Sequence, residues 1–151
     1  MHAADSSGPG GEFLGLIEKY GWAIRHVGEG GFPAFSYTVG LTSMGHPELV
    51  MVGLPFDAAQ GFLNNMGADV RDGSRFDAGS VVWDQTEPPA PIAFVEATDV
   101  SGLTAVEQVF GEVRALQAVW SDSQGRLPWD VGYRNPPEAQ PLLGTRPTSL
   151  T

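Results

Sequence analysis

The stretch 32–55 constrains the fold more than any other, because it holds two strand-like runs around a turn. Residues 34–41 alternate aromatic and aliphatic residues with Ser, Thr and Gly, which is typical of a strand with one packed face and one small polar face. Residues 49–54 are continuously apolar, which indicates a strand covered on both faces. Residues 42–47 contain Ser, Gly and Pro and are expected to form a loop. The chain is therefore predicted to be built around a sheet.

Three helices are predicted from the spacing of apolar residues. Residues 12–20 place apolar side chains at i, i+3, i+4 and i+7, which indicates an amphipathic helix. A second helix is predicted from an N-cap at Asp57 to a stop at Gly67. Residues 103–110 form a third candidate, capped by Thr104.

Helices and strands together predict a single α+β domain with a mainly antiparallel sheet, either open or curled into a barrel, and two or three short helices packed on it. The remaining strands are predicted at residues 22–27, 80–83, 92–98 and 115–120.

The domain is expected to span residues 12–144. From residue 124 the chain is rich in Trp and Pro without periodicity, and we expect it to wrap around the body of the domain. Residues 1–11 are interpreted as a disordered leader, and residues 145–151 as a frayed end.

Charge and composition exclude several classes of protein. The chain of 151 residues has 18 acidic and 8 basic residues and a net charge of −10, which disfavours binding to nucleic acid or to an anionic membrane. It contains no cysteine, which excludes disulfides, thiolate catalysis and iron–sulfur clusters. No secretory signal and no apolar run of ~20 residues are present, so a soluble cytoplasmic protein is expected.

His46 and Glu48 are the candidate catalytic residues. They flank Pro47 in the loop between the two central strands. A neutral imidazole can act as acid or base near neutral pH, and a carboxylate can orient it. The alternative is a loop histidine that bonds a backbone carbonyl.

A metal site is a weaker possibility. His26 and His46, with Glu48 or Asp122, would supply the two imidazoles and one carboxylate of a non-haem iron site. Their spacing does not specify such a site, and His26 is equally compatible with a packed strand histidine. No metal is therefore predicted.

A ligand-binding wall is predicted from polar and aromatic residues of the same strands and of the tail. Its members are Tyr37, Thr38, Gln117, Trp120, Asp122 and Trp129. Aromatic side chains beside a few polar groups are typical of small-molecule pockets. The alternative is that Tyr37 packs in the core and that the tryptophans hold the tail against the domain.

Several of these residues form motifs that resemble the bacterial "domain of unknown function 4262" family. The motifs are F-x-Y-T-x-G-L at 35–41, H-P-E-L at 46–49, G-L at 53–54, F-L-N at 62–64, L-Q-A-V-W-S-D-S-Q-G-R-L-P-W at 116–129 and Q-P-L-L at 140–143. The resemblance covers residues 13–144. Family members more often have Pro where Ser121 stands and Phe where Leu127 stands. The resemblance implies one compact α+β domain and supplies no function.

A second resemblance, at the level of fold, is to the flavin-reductase-like split barrel. It implies that the loop at 42–47 would lie at the flavin phosphate. That loop has no Arg or Lys, so FMN is not predicted and the cofactor stays unknown.

Two functions are compatible with the sequence. The first is a small-molecule-binding protein or accessory enzyme, with a pocket near the 37–48 hairpin and residues 117–129. The second is an acidic protein–protein interaction module, such as an immunity or regulatory partner of a basic protein, motivated by the charge of −10. The sequence does not determine the oligomeric state.

Overall fold

The computed structural model describes residues 11–28 and 33–145, which form an open sheet with helices on both faces. The helices are α1 (Gly11–Tyr20), α2 (Phe56–Arg71) and α3 (Thr104–Phe110). The strands are β1 (Ala23–Val27), β2 (Phe35–Val39), β3 (Glu48–Val52), β4 (Val81–Val82), β5 (Ile92–Glu96) and β6 (Ala115–Trp120). Short 3₁₀ turns occupy Leu41–Met44 and Pro137–Ala139. Residues 1–10 of the predicted leader (1–11), residues 29–32, and residues 146–151 of the predicted frayed end (145–151) lie outside the described residues. Gly11, the last residue of the predicted leader, begins α1.

The strand order in the described sheet is β1-β2-β3-β6-β5-β4. Every neighbouring pair is antiparallel except β3 and β6, which run parallel in the middle of the sheet. The predicted α+β class and the mainly antiparallel sheet are confirmed. The sheet ends at β1 on one side and β4 on the other, so the suggested closure into a barrel is wrong.

The core has two layers because the strands alternate their side chains between the two faces of the sheet. Along β6, Leu116 and Ala118 belong to the cluster under α2, whereas Ala115 belongs to the cluster under α1 and α3. Helix α2 contributes Leu63 and Met66, both fully buried. No helix among the described residues combines the length and the apolar character needed to cross a bilayer.

Helix α2 differs from the prediction at both ends. Pro55 occupies the N-cap position, and the carboxylate of Asp57 bonds only the neighbouring backbone N–H of Ala58. The helix also continues through Gly67 to Arg71. Helix α3 likewise has no side-chain cap, so the predicted caps at Asp57 and Thr104 are wrong.

Gly67 is present for close packing and does not end the helix. A Cβ atom at this position would lie 2.7 Å from Cε2 of Trp22, whose indole N–H is held by Asn64 at 3.0 Å. Periodicity alone cannot distinguish a glycine that stops a helix from one that admits a neighbouring ring.

Two glycines of α2 should respond oppositely to substitution by alanine. Gly61 has open space around its Cβ position, so Gly61→Ala should raise the free energy of unfolding by up to about 1 kcal/mol through helix propensity. Gly67→Ala should lower it by about 1–3 kcal/mol, because the Trp22 ring must move. Urea unfolding followed by circular dichroism measures both changes. Equal stabilisation by the two substitutions would contradict the packing described for Trp22.

Candidate functional site

The loop that follows β2 is organised around the carboxylate of Glu48, which is fully buried. Oε1 accepts hydrogen bonds from Thr38 Oγ1 (2.7 Å) and the backbone N–H of Leu41 (3.1 Å). Oε2 accepts from the N–H groups of Gly40 and Thr42 (both 3.0 Å) and from Thr42 Oγ1 (2.6 Å). A carboxylate offers about four lone-pair directions, so this one is saturated. Glu48 therefore holds the loop and has no acceptor left for a substrate.

His46 is also committed to the interior of the protein. Its side chain is 3% exposed, Nδ1 donates to the carbonyl of Pro47 at 2.8 Å, and Nε2 accepts from the N–H of Phe76 at 3.0 Å. Burial lowers the pKa of His46, more than the bond to Pro47 raises it. These contacts favour the alternative interpretation of His46, a neutral loop histidine that joins two segments of backbone.

Tyr37 and Thr38 lie inside the domain and do not form the wall of a cleft. Tyr37 is fully buried, its ring stacks on Phe35 with centroids 6.0 Å apart, and its hydroxyl accepts from the N–H of Ala105 at 3.1 Å. The Thr38 hydroxyl bonds Glu48 and accepts from the N–H of Leu49 at 2.9 Å. Both residues position the central strands.

Gln117 attaches the tail to the middle of the sheet. Its side chain is fully buried, Nε2 donates to the carbonyl of Pro141 at 2.9 Å, and Oε1 accepts from the N–H of Leu143 at 2.7 Å. Gln140 makes the reciprocal contact, because its Oε1 accepts from the N–H of Trp120 and its Nε2 donates to the Trp120 carbonyl. Each glutamine thus binds both a donor and an acceptor of the backbone.

Asp122 organises the start of the tail. Oδ1 accepts from the N–H groups of Gln124 and Arg126, both at 2.9 Å, and Oδ2 accepts from the N–H of Arg134 at 2.8 Å. Burial acts to raise the pKa of this carboxyl, but these hydrogen bonds and the charge of Arg126 outweigh it and hold the pKa below its usual value. Trp129 packs against the small apolar cluster around Leu127.

Trp120, a member of the predicted ligand-binding wall, lines an open groove, and a hydrogen bond holds its ring in place. Its indole N–H donates to the carbonyl of Val52 at 2.8 Å. The groove has a volume of about 640 Å³, and we call it the tryptophan groove. Its apolar lining comprises Leu54, Phe62, Trp83, Pro88, Pro89, Ala90, Pro91, Ile92 and Trp120.

The tryptophan groove lies where the parallel strands β3 and β6 end. Leu54 follows β3 and residues 121–125 follow β6, and both segments line the groove. Crevices at the carboxyl ends of parallel strands are common positions for ligands. Trp83 and Phe62 are not among the site residues predicted from the sequence, although a tryptophan shortly before the run Glu87–Pro91 is a usable signal.

The candidate metal ligands His26 and His46 are not brought together. His26 bonds Ser36 and lies in a second groove, whereas both ring nitrogens of His46 are occupied. Within residues 11–28 and 33–145, no three His, Asp or Glu side chains are grouped so that they could hold a metal ion.

These features define a single α+β domain with an open sheet, one parallel strand pair and a groove at its carboxyl end. The chain belongs to the family described as domain of unknown function (DUF4262), whose model matches residues 16–134. Neither a curated protein nor a solved structure matches it. The open sheet gives no support to the resemblance to a flavin-reductase-like split barrel.

Proposed function

We propose that the protein binds a small, neutral aromatic molecule in the tryptophan groove. The observation that carries the proposal is the exposure of Trp83, 55% of whose surface is open beside the fixed ring of Trp120. Concave sites lined by aromatic side chains with a few polar groups are the usual form of small-molecule pockets. The proposal retains Trp120 and Asp122 from the predicted wall and replaces its other members by Trp83 and Phe62.

The charges of the groove favour a neutral ligand. Among the described residues, Asp122 is the only charged one in its lining, and its carboxylate is bonded to backbone N–H groups. The other polar groups at the rim are hydroxyls and an amide, from Thr86, Ser121, Ser123 and Gln124. With a net charge of −10 on the chain, an anionic ligand would be repelled.

The proposal is one of binding, and no catalytic step is assigned. His46 and Glu48 have their polar side-chain atoms bonded within the fold, so an acid–base role for this pair has no geometric support. A rigid aromatic groove without a free acid or base is suited to holding a ligand.

Fluorine NMR of protein labelled with 5-fluorotryptophan tests the proposal, because the chain has four tryptophans. We expect ethylbenzene and acetophenone to shift the resonances of Trp83 and Trp120 and to leave that of Trp22 unchanged.

Trp83→Ala should weaken the binding of both probes about tenfold, through the loss of about 1.4 kcal/mol of ring contact.

Tyr20→Ala is the matched control, because Tyr20 is an equally exposed aromatic residue, also at 55%, outside this groove. It should leave the affinity unchanged. If neither probe shifts Trp83 or Trp120, or if both variants lose affinity equally, the groove is not the binding site.

The acidic interaction module is the second candidate, and it rests on the net charge alone. Glu48 and Asp122 are buried and bonded inside the domain, so these two carboxylates contribute little to attracting a basic partner. Association that weakens as salt is added would favour this function over the first.

A further inference from the structure

A second groove adjoins the tryptophan groove, and we call it the histidine groove. It has a volume of about 630 Å³, and its lining includes His26, Gly53, Leu54, Pro55 and Glu138. Leu54 lines both grooves. The two grooves therefore meet at the side chain of Leu54.

The boundary between the grooves is held rigidly. Gly53 has φ +91° and lies so close to the carbonyl of Ala139 that no side chain would fit. The same Cβ position at Gly53 would lie 3.3 Å from Cζ2 of Trp120. The N–H of Gly53 donates to the carbonyl of Ala34 at 2.7 Å. A ligand would therefore meet a preformed surface.

The imidazole of His26 is fixed from two sides. Nδ1 lies 2.7 Å from Oγ of Ser36, the residue directly opposite on β2, and the ring lies against Phe56 with centroids 5.2 Å apart. His26 is half-buried, whereas Ser36 is fully buried.

The hydrogen bond with Ser36 determines which nitrogen of His26 carries the proton. Among residues 11–28 and 33–145, His26 is the only side-chain hydrogen-bond partner of the buried Ser36 hydroxyl, and a buried O–H without an acceptor is costly. We therefore assign the hydroxyl as donor to Nδ1, which places the proton of the neutral ring on Nε2. Nε2 has no partner among the described residues and is not a buried unpaired atom, so its N–H is open to a ligand.

We propose that the two grooves bind opposite ends of one neutral aromatic carbonyl compound. The ring lies in the tryptophan groove, and the carbonyl oxygen accepts a hydrogen bond from Nε2–H of His26. Glu138 is the one charged side chain among the described residues that line the histidine groove, and its negative charge disfavours a carboxylate there. This inference rests on the proposed function and adds the chemical class of the ligand and the residue that recognises it.

Acetophenone and ethylbenzene test the inference, because they share a skeleton and differ in the carbonyl oxygen. Kd values of both probes are measured by fluorine NMR for the wild-type protein and for His26→Phe, which keeps a ring against Phe56 and removes the N–H. The ratio of the acetophenone Kd to the ethylbenzene Kd should rise about fivefold in His26→Phe, the equivalent of one hydrogen bond. Arg25→Ala, an exposed neighbour on β1, should leave the ratio unchanged.

Two further measurements bear on the same inference. Nitrogen-15 NMR of the histidines in the wild-type protein should show His26 with its proton on Nε2, and a proton on Nδ1 would overturn the proposal even if His26→Phe does not fold. Glu138→Gln should lower the Kd of benzoate, because the negative charge that repels its carboxylate is gone. An unchanged benzoate Kd would show that Glu138 does not act on a ligand in this groove.

The outcomes separate the inference from the proposed function. An unchanged Kd ratio in His26→Phe, with Trp83 and Trp120 still shifted by both probes, overturns the role of His26 and leaves the tryptophan groove as a binding site. The absence of any shift at the two tryptophans overturns both.

Discussion

Glu48→Gln is expected to lower the free energy of unfolding by about 3–5 kcal/mol, although it removes no more than a charge and one acceptor. The reason is that three of the donors around the carboxylate are backbone N–H groups, which cannot turn away. If Oε1 becomes an amide nitrogen, it can no longer accept from the N–H of Leu41, and if Oε2 does, it can no longer accept from those of Gly40 and Thr42. Urea unfolding followed by tryptophan fluorescence measures the loss.

Glu112→Gln is the matched control for this change. Glu112 is exposed, and its side chain makes no hydrogen bond with the described residues. Its effect should stay within about 0.5 kcal/mol. A loss below about 1 kcal/mol for Glu48→Gln would mean that the loop relaxes around the amide. It would then be wrong to describe Glu48 as the group that fixes the loop.

Gln117→Leu has the second-largest expected effect, a loss of about 2–4 kcal/mol. The leucine fills a similar volume, but it leaves the carbonyl of Pro141 and the N–H of Leu143 without partners at a fully buried position. The carbonyl of Leu143 in turn accepts from the N–H groups of Thr98 and Asp99, so the loss should spread to the end of β5.

Amide hydrogen exchange distinguishes this effect from general destabilisation. Exchange at Leu143, Thr98 and Asp99 should accelerate more than exchange at β2 residues such as Tyr37, since the tail would detach before the sheet opens. Gln108→Leu, at an exposed position of α3, should change none of these rates. Uniform acceleration across the chain would contradict an anchoring role for Gln117.

The strands were predictable because their alternation is local. Residues 115–120 were assigned as a strand with the bounds that β6 has, and α1 followed from one apolar stripe. The parallel pairing of β3 with β6 was not predictable, since it joins segments separated by α2, β4, β5 and α3. Neither strand has a sequence pattern that specifies its partner.

The candidate site was only partly predictable for the same reason. The residues of the hairpin could be grouped because they are close in sequence, but a sequence pattern does not show whether polar atoms face a cleft or the backbone. Glu48 and His46 face the backbone. Trp83 and Trp120 come to line one groove only through the pairing of β4, β5 and β6, so this groove depends on tertiary structure.

The parallel pair in the middle of the sheet also has a kinetic consequence. Strands β1, β2 and β3 are consecutive antiparallel neighbours, and so are β4, β5 and β6 on the other side. Each half can form from nearby residues, but the halves join only when Glu48 meets Ala115 and Val50 meets Gln117. Closing that long loop costs chain entropy before the contacts compensate for it. We therefore expect the barrier to folding to be set where β3 meets β6, the same place at which Glu48 and Gln117 hold the folded structure.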